Sequence, residues 1–67
     1  MFRVRDIVKA SRDIRAGLSE DGPEICKAGT KGTVIEIEPN EPDGVCVLLR
    51  NNVKWWFKPN QLEVYHE

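Results

Sequence analysis

Residues 53–65 read Val53-Lys54-Trp55-Trp56-Phe57-Lys58-Pro59-Asn60-Gln61-Leu62-Glu63-Val64-Tyr65, and they hold both tryptophans, one of the two phenylalanines and the only tyrosine. Successive side chains of a strand point to opposite faces. Val53, Trp55 and Phe57 therefore form one set, and Lys54, Trp56 and Lys58 the other. The set without charges belongs to a core, which leaves Trp56 outside between two lysines unless the loop over residues 11–31 folds over it, with Ile14, Leu18 or Ile25 as its cap. Pro59 has no N–H to give to a ladder and ends the strand. A one-turn break over Pro59–Gln61 then leads into a last strand, Leu62 to Tyr65. This is the way a small β-structure closes on itself.

Working back from there, Val45 to Arg50 is apolar at five consecutive positions, as a central strand is. Asn51-Asn52 reads as a hairpin turn, since Asn tolerates the left-handed region that a two-residue turn requires. A two-residue turn pairs Trp56 with Val47, and a three-residue turn pairs it with Leu48. Thr33 to Glu38 is an alternating strand with Ile35 and Ile37 on one face and Glu36 and Glu38 on the other. Gly29 and Gly32 precede it and mark positions of positive φ or close backbone approach. Pro39, Asn40, Pro42, Asp43 and Gly44 make a turn-rich connection.

The first strand runs from Phe2 to Ala10, with Phe2, Val4, Val8 and Ala10 on one parity. Asp6 interrupts it at a place where an Asp caps a tight bend through its own backbone. Ser11 to Lys31 is irregular, holding Gly17, Gly22, Pro23 and Gly29 with Ile14, Leu18 and Ile25 as apolar anchors. It reads as a long loop between the first two strands. A loop of that length in so small a domain is functional or mobile as a rule. The expected fold is all-β: one domain over residues 1–67, five strands in a small barrel, and a long loop between strands 1 and 2.

Five short strands, a long first loop, tighter later turns and a one-turn break before the final strand resemble the SH3-like barrel. The residues carrying the resemblance are Val4-Arg5-Asp6-Ile7-Val8, Gly29-Thr30-Lys31-Gly32-Thr33-Val34 and Pro59-Asn60-Gln61-Leu62-Glu63-Val64. Two families come nearer. The nitrogen-fixation accessory NifZ-like family is similar in residues 8–15, in Ala28 to Val34 and in Leu62-Glu63. The chain lacks that family's Asp-Gly-Thr and later Gly-Thr-Phe signatures. KOW-type modules of ribosomal and transcription factors are similar in placing two glycines before an apolar strand. The first resemblance implies an accessory protein, the second a nucleic-acid binder. A looser likeness is to small barrel subunits of redox enzymes.

Ten Lys/Arg stand against eleven Asp/Glu, a net charge of −1. A protein whose main task is holding nucleic acid shows a strong basic excess, absent here. The middle of the chain is acidic at Glu20, Asp21 and Glu24 and again at Glu36, Glu38, Glu41 and Asp43, the latter reading as strand edges and turn caps. No Ser or Cys has a positioned His, because His66 lies at the C-terminal end. No phosphate loop, dinucleotide-binding glycine pattern or metalloprotease motif is present. Cys26 and Cys46 have neither a disulfide framework nor a CxxC spacing and are expected to be free thiols. With no apolar run near the ~20 residues of a membrane helix, the expected setting is the cytoplasm.

The sequence thus points to a non-catalytic accessory or adaptor domain without metal or cofactor. It would dock on a larger protein through an outer surface of Trp56, Lys54 and Lys58, with Val47 or Leu48 opposite. A tryptophan in an apolar patch with a charged rim has the composition of a protein-binding hot spot. The alternative is a nucleic-acid-binding barrel of KOW type, with Trp56 stacked on a base and the lysines on phosphates.

Overall fold

In the computed structural model, which describes residues 2–16 and 22–65, the chain is all-β. The strands are β1 (Ile7–Ala10), β2 (Ile14–Arg15), β3 (Glu24–Cys26), β4 (Lys31–Ile37), β5 (Val45–Leu49), β6 (Lys54–Phe57) and β7 (Leu62–Val64). Five of them form an antiparallel sheet in the order β6-β5-β4-β1-β7, and β2 pairs with β3 in a separate ribbon. Among the described residues, no helix is long and apolar enough to cross a membrane.

The five strands of the sheet fall in the five stretches expected, although the first begins only at Ile7 and not at Phe2, and the long segment between the first two is not structureless. Ile14 and Arg15 pair with Cys26 and Glu24, and Ala16 N–H donates to the Pro23 carbonyl at 2.9 Å. Ile14 is buried and Ile25 half-buried, so both serve as anchors, while Leu18 lies outside the described residues. The Asp13 carboxylate accepts the Ala28 N–H at 2.8 Å, and Asn51 donates to the Ile25 carbonyl at 3.3 Å. Short runs with isolated apolar residues give no period, so pairing here follows from these contacts with the rest of the fold.

Ahead of β1, Asp6 closes the bend foreseen for it. Its carboxylate accepts the Arg3 N–H at 2.9 Å, its own N–H donates to the Arg3 carbonyl at 3.0 Å, and Arg5 takes φ 81°. The bend resets the alternation. Val8 and Ala10 are buried as their parity requires, whereas Val4, given the same parity, is exposed.

A bulge in β4 corrects a second parity. Val34 pairs with Val47 and Glu36 with Cys46, so Ile35 is the extra residue. An inserted residue flips every later side chain to the other face. Val34 and Ile37 thus turn inward, Ile35 is exposed, and Glu36 lies on the outer face. Period-two counting had put Ile35 and Ile37 together, because a bulge leaves no mark in a run of apolar and charged residues.

Gly29, ahead of β4, and Gly32, within it, have different reasons. Gly29 has φ +86°, a conformation that L side chains rarely adopt. Gly32 has ordinary φ but no room: an added Cβ would lie 2.6 Å from Val47 Cγ1 and 2.8 Å from the Leu48 carbonyl oxygen. The latter is backbone in the central ladder and cannot turn aside. Gly32→Ala is expected to cost roughly 1–3 kcal/mol, the range for forcing extra volume into a packed site. A thermal melt should show Tm lower by about 4–8 °C per kcal/mol. An unchanged Tm would mean β4 and β5 can separate freely.

The core comprises Val8, Ala10, Ile14, Cys26, Val34, Val45, Val47, Leu49, Phe57 and Leu62, with Phe2, Ile25, Ile37, Val53 and Trp55 packed against it. A single turn of 3-10 helix, Pro59–Gln61, separates β6 from β7, as Pro59 led us to expect. The Gln61 side chain accepts the Lys58 N–H at 2.9 Å, and the Gln61 carbonyl accepts the Ser11 N–H at 2.9 Å. That turn delivers β7 back to β1.

Candidate functional site

The β5–β6 connection decides what stands beside Trp56. Leu49 N–H donates to the Val53 carbonyl at 2.8 Å and Asn52 N–H to the Leu49 carbonyl at 3.0 Å. The loop is therefore Arg50-Asn51-Asn52. Asn52 supplies the left-handed residue at φ 68°, and the Asn51 side chain accepts the Val53 N–H at 3.1 Å. Cross-strand partners follow: Val45 with Phe57, Cys46 with Trp56, Val47 with Trp55 and Leu48 with Lys54. Trp56 thus faces neither Val47 nor Leu48, the two partners expected from the sequence. Three residues do form the turn, but they begin one position earlier than Asn51.

The alternation of β6 is otherwise as read. Phe57 is fully buried and Trp55 half-buried, whereas Trp56 keeps 41% of its surface exposed between exposed Lys54 and Lys58. Val47 is fully buried on the core side beneath Trp55 and cannot reach a partner. Leu48 is exposed on the Trp56 face, one row away beside Lys54. Of the expected surface, Trp56, Lys54, Lys58 and Leu48 share the outside, and Val47 leaves it.

The same face carries residues that sequence reading had assigned only to edges and turns. The β4 bulge sets Glu36, Cys46 and Trp56 in one cross-strand row. Beyond it the β4–β5 connection folds tightly, with Glu38 N–H donating to the Gly44 carbonyl at 2.7 Å. Glu36, Glu38, Glu41, Pro42, Asp43 and Trp56 line a groove of about 390 Å³. On its other side Trp56 borders a smaller hollow of about 250 Å³, with Ile14, Trp55 and Lys58 in its lining. Ile14 thus approaches both tryptophans without covering Trp56.

At the far end of the sheet the charges answer one another. Lys9 meets Glu63 at 3.7 Å, and the Lys31 ammonium lies 4.1 Å from the centre of the Tyr65 ring. Among the described residues, the ion pairs are Lys9–Glu63 and Arg15–Glu24, so the groove carboxylates face no cation within bonding distance. The acidic run with two prolines was visible as composition. Its convergence on Trp56 was not, because it depends on the bulge.

Cys46, buried in the middle of the row, stands apart from the core cluster. Burial pushes its thiol above the ordinary value, Glu36 adds to the shift and Lys54 opposes it. The Cys26 thiol is also raised, chiefly by burial, with Glu24 and Asp13 adding and a hydrogen bond with Thr30 opposing. Both cysteines are free. A thiol whose folded pKa is raised contributes stability that is fully present below its unfolded value, about 8.5, and is lost as pH rises through the folded value. We expect thiol reagents at pH 8 to label the folded chain far more slowly than the unfolded chain. We also expect urea midpoints to fall above about pH 9 by more than they do in a Cys26→Ala/Cys46→Ala variant. Equal labelling rates, or equal alkaline losses, would show the thiols to be open to solvent.

In comparisons with known proteins, no family model matches the chain and no curated protein matches it.

Proposed function

We propose that this chain is a non-catalytic docking module, an SH3-like barrel that attaches to a larger protein through the surface around Trp56. The barrel reading is supported by the five-strand order, the ribbon-bearing connection after β1 and the 3-10 turn that brings β7 beside β1. The NifZ-like resemblance agrees with an accessory role. The observation that carries the function is Trp56 itself. A large aromatic stays open to solvent on a sheet whose other face already holds Phe57 and the core. Tryptophan is enriched at the centres of protein interfaces because its desolvation contributes more than most single contacts.

The KOW-type alternative has less support. Lys54 and Lys58 flank the indole, but a phosphate beside it would meet Glu36, Glu38, Glu41 and Asp43. Capture from native lysate with the immobilised chain separates the two readings. We expect a protein that survives nuclease, tolerates a rise from about 50 to about 200 mM salt and is lost with Trp56→Ala. A phosphate-contacting complex with six to ten contacts would weaken by about 10³–10⁵ over that salt range. Nuclease-sensitive capture, or capture indifferent to Trp56, would overturn the docking reading.

A further inference from the structure

We infer that the groove beside Trp56 receives an arginine or lysine side chain from an extended basic segment of the partner, an inference that rests on the docking reading above. The partner's chemistry follows from charge complementarity. Glu36, Glu38, Glu41 and Asp43 surround the groove, whose lining among the described residues holds no lysine or arginine, while Arg15 and Lys58 line the adjoining hollow with Asp43. The walls combine these carboxylates with one indole. A long basic side chain fits both: its methylene stem lies along Trp56 and its charged head reaches the acids. Hydrogen bonds from a cation to carboxylates are among the strong ones. A phosphate or an acidic peptide would be repelled by these carboxylates, and an uncharged apolar helix would leave them unanswered.

The strand edge favours a peptide over a free small cation. β6 is the edge of the sheet, and the Leu49–Val53 hydrogen bond sets its alternation. Val53, Trp55 and Phe57 turn their backbone groups toward β5, so those of Lys54 and Trp56 point away from it. A peptide beside β6 meets a backbone N–H and C=O at the very residue whose indole walls the groove. Extended segments bind sheet edges in this way, with backbone hydrogen bonds for affinity and side-chain pockets for selection. The β4 bulge has a role here too, since without it Glu36 would turn toward the core.

The test uses the full chain and two synthetic probes, a Gly/Ser peptide carrying two arginines and the same peptide with two glutamates. Binding is followed by NMR through the two tryptophan indole N–H signals and the backbone amides. We expect the arginine peptide to shift the Trp56 indole and the amides of Glu36, Glu41 and Asp43. The glutamate peptide should leave them in place. Glu36→Gln/Glu41→Gln should weaken the arginine peptide by about tenfold or more, with melting unchanged. Equal response to both peptides, no response to either, or undiminished binding by the Gln variant overturns the inference. The captured partner separates this failure from that of the docking reading. Loss with Trp56→Ala but full retention by the Gln variant would leave docking standing and remove the basic segment. Retention by both variants would remove both.

Discussion

Phe57→Ala should leave the chain largely unfolded at room temperature. Phe57 is the largest fully buried side chain, paired with Val45 at the end of β6, and it belongs to the core cluster. Truncating a buried phenylalanine costs about 3–5 kcal/mol, through lost transfer free energy and the cavity left behind. Native stability runs at roughly 0.05–0.15 kcal/mol per residue, so the loss is comparable to everything a chain of this length has. Circular dichroism and a urea titration would show it. Trp55→Ala is the informative companion. The sequence placed Trp55 in the core set with Val53 and Phe57, but Trp55 is half-buried and lines the hollow beside Trp56. Its loss should lower the urea midpoint by clearly less than that of Phe57. The reverse order would mean that Trp55, not Phe57, organises the interior.

Trp56→Ala should do the opposite, leaving the fold intact and removing the partner. The indole lies outside the core cluster and keeps much of its surface in solvent, so its removal opens no cavity there. At an interface the same side chain would be desolvated, and truncating such an anchor costs at least about 2 kcal/mol. That is a Kd raised roughly thirtyfold. The measurement pairs a thermal melt with titration of the captured partner, on wild type and variant alike. A variant that melts like wild type and binds thirtyfold more weakly is the expected result. One that unfolds, or binds as well as wild type, places the docking surface elsewhere. Lys54→Ala should change affinity less, because exposed rim charges act mainly on association rate and salt dependence.

The alternating and apolar runs, with Pro59 after the fourth and Gly29 and Gly32 at the start of the second, were enough to indicate five strands, the buried parity of Phe57 and the exposed parity of Trp56. Most of those features are local, since side-chain direction in a strand, a missing N–H and the positive φ of Gly29 act within a few residues, whereas Gly32 answers to the close approach of β5. Asp6 was legible for the same reason, its carboxylate closing the four-residue bend that starts at Arg3. What stands opposite Trp56 was not. That depended on whether the hairpin turned at Arg50 or Asn51, and one residue of register replaced Val47 by Cys46. The pairing of β2 with β3 depended on contacts with residues elsewhere in the fold. The acidic groove required the Ile35 bulge, which no spacing announces, because the residue that bulges is settled by how Val34 and Ile37 pack inward. Strand periodicity thus determined which tryptophan faces outward, and only the pairing of β4, β5 and β6 decided that it faces carboxylates.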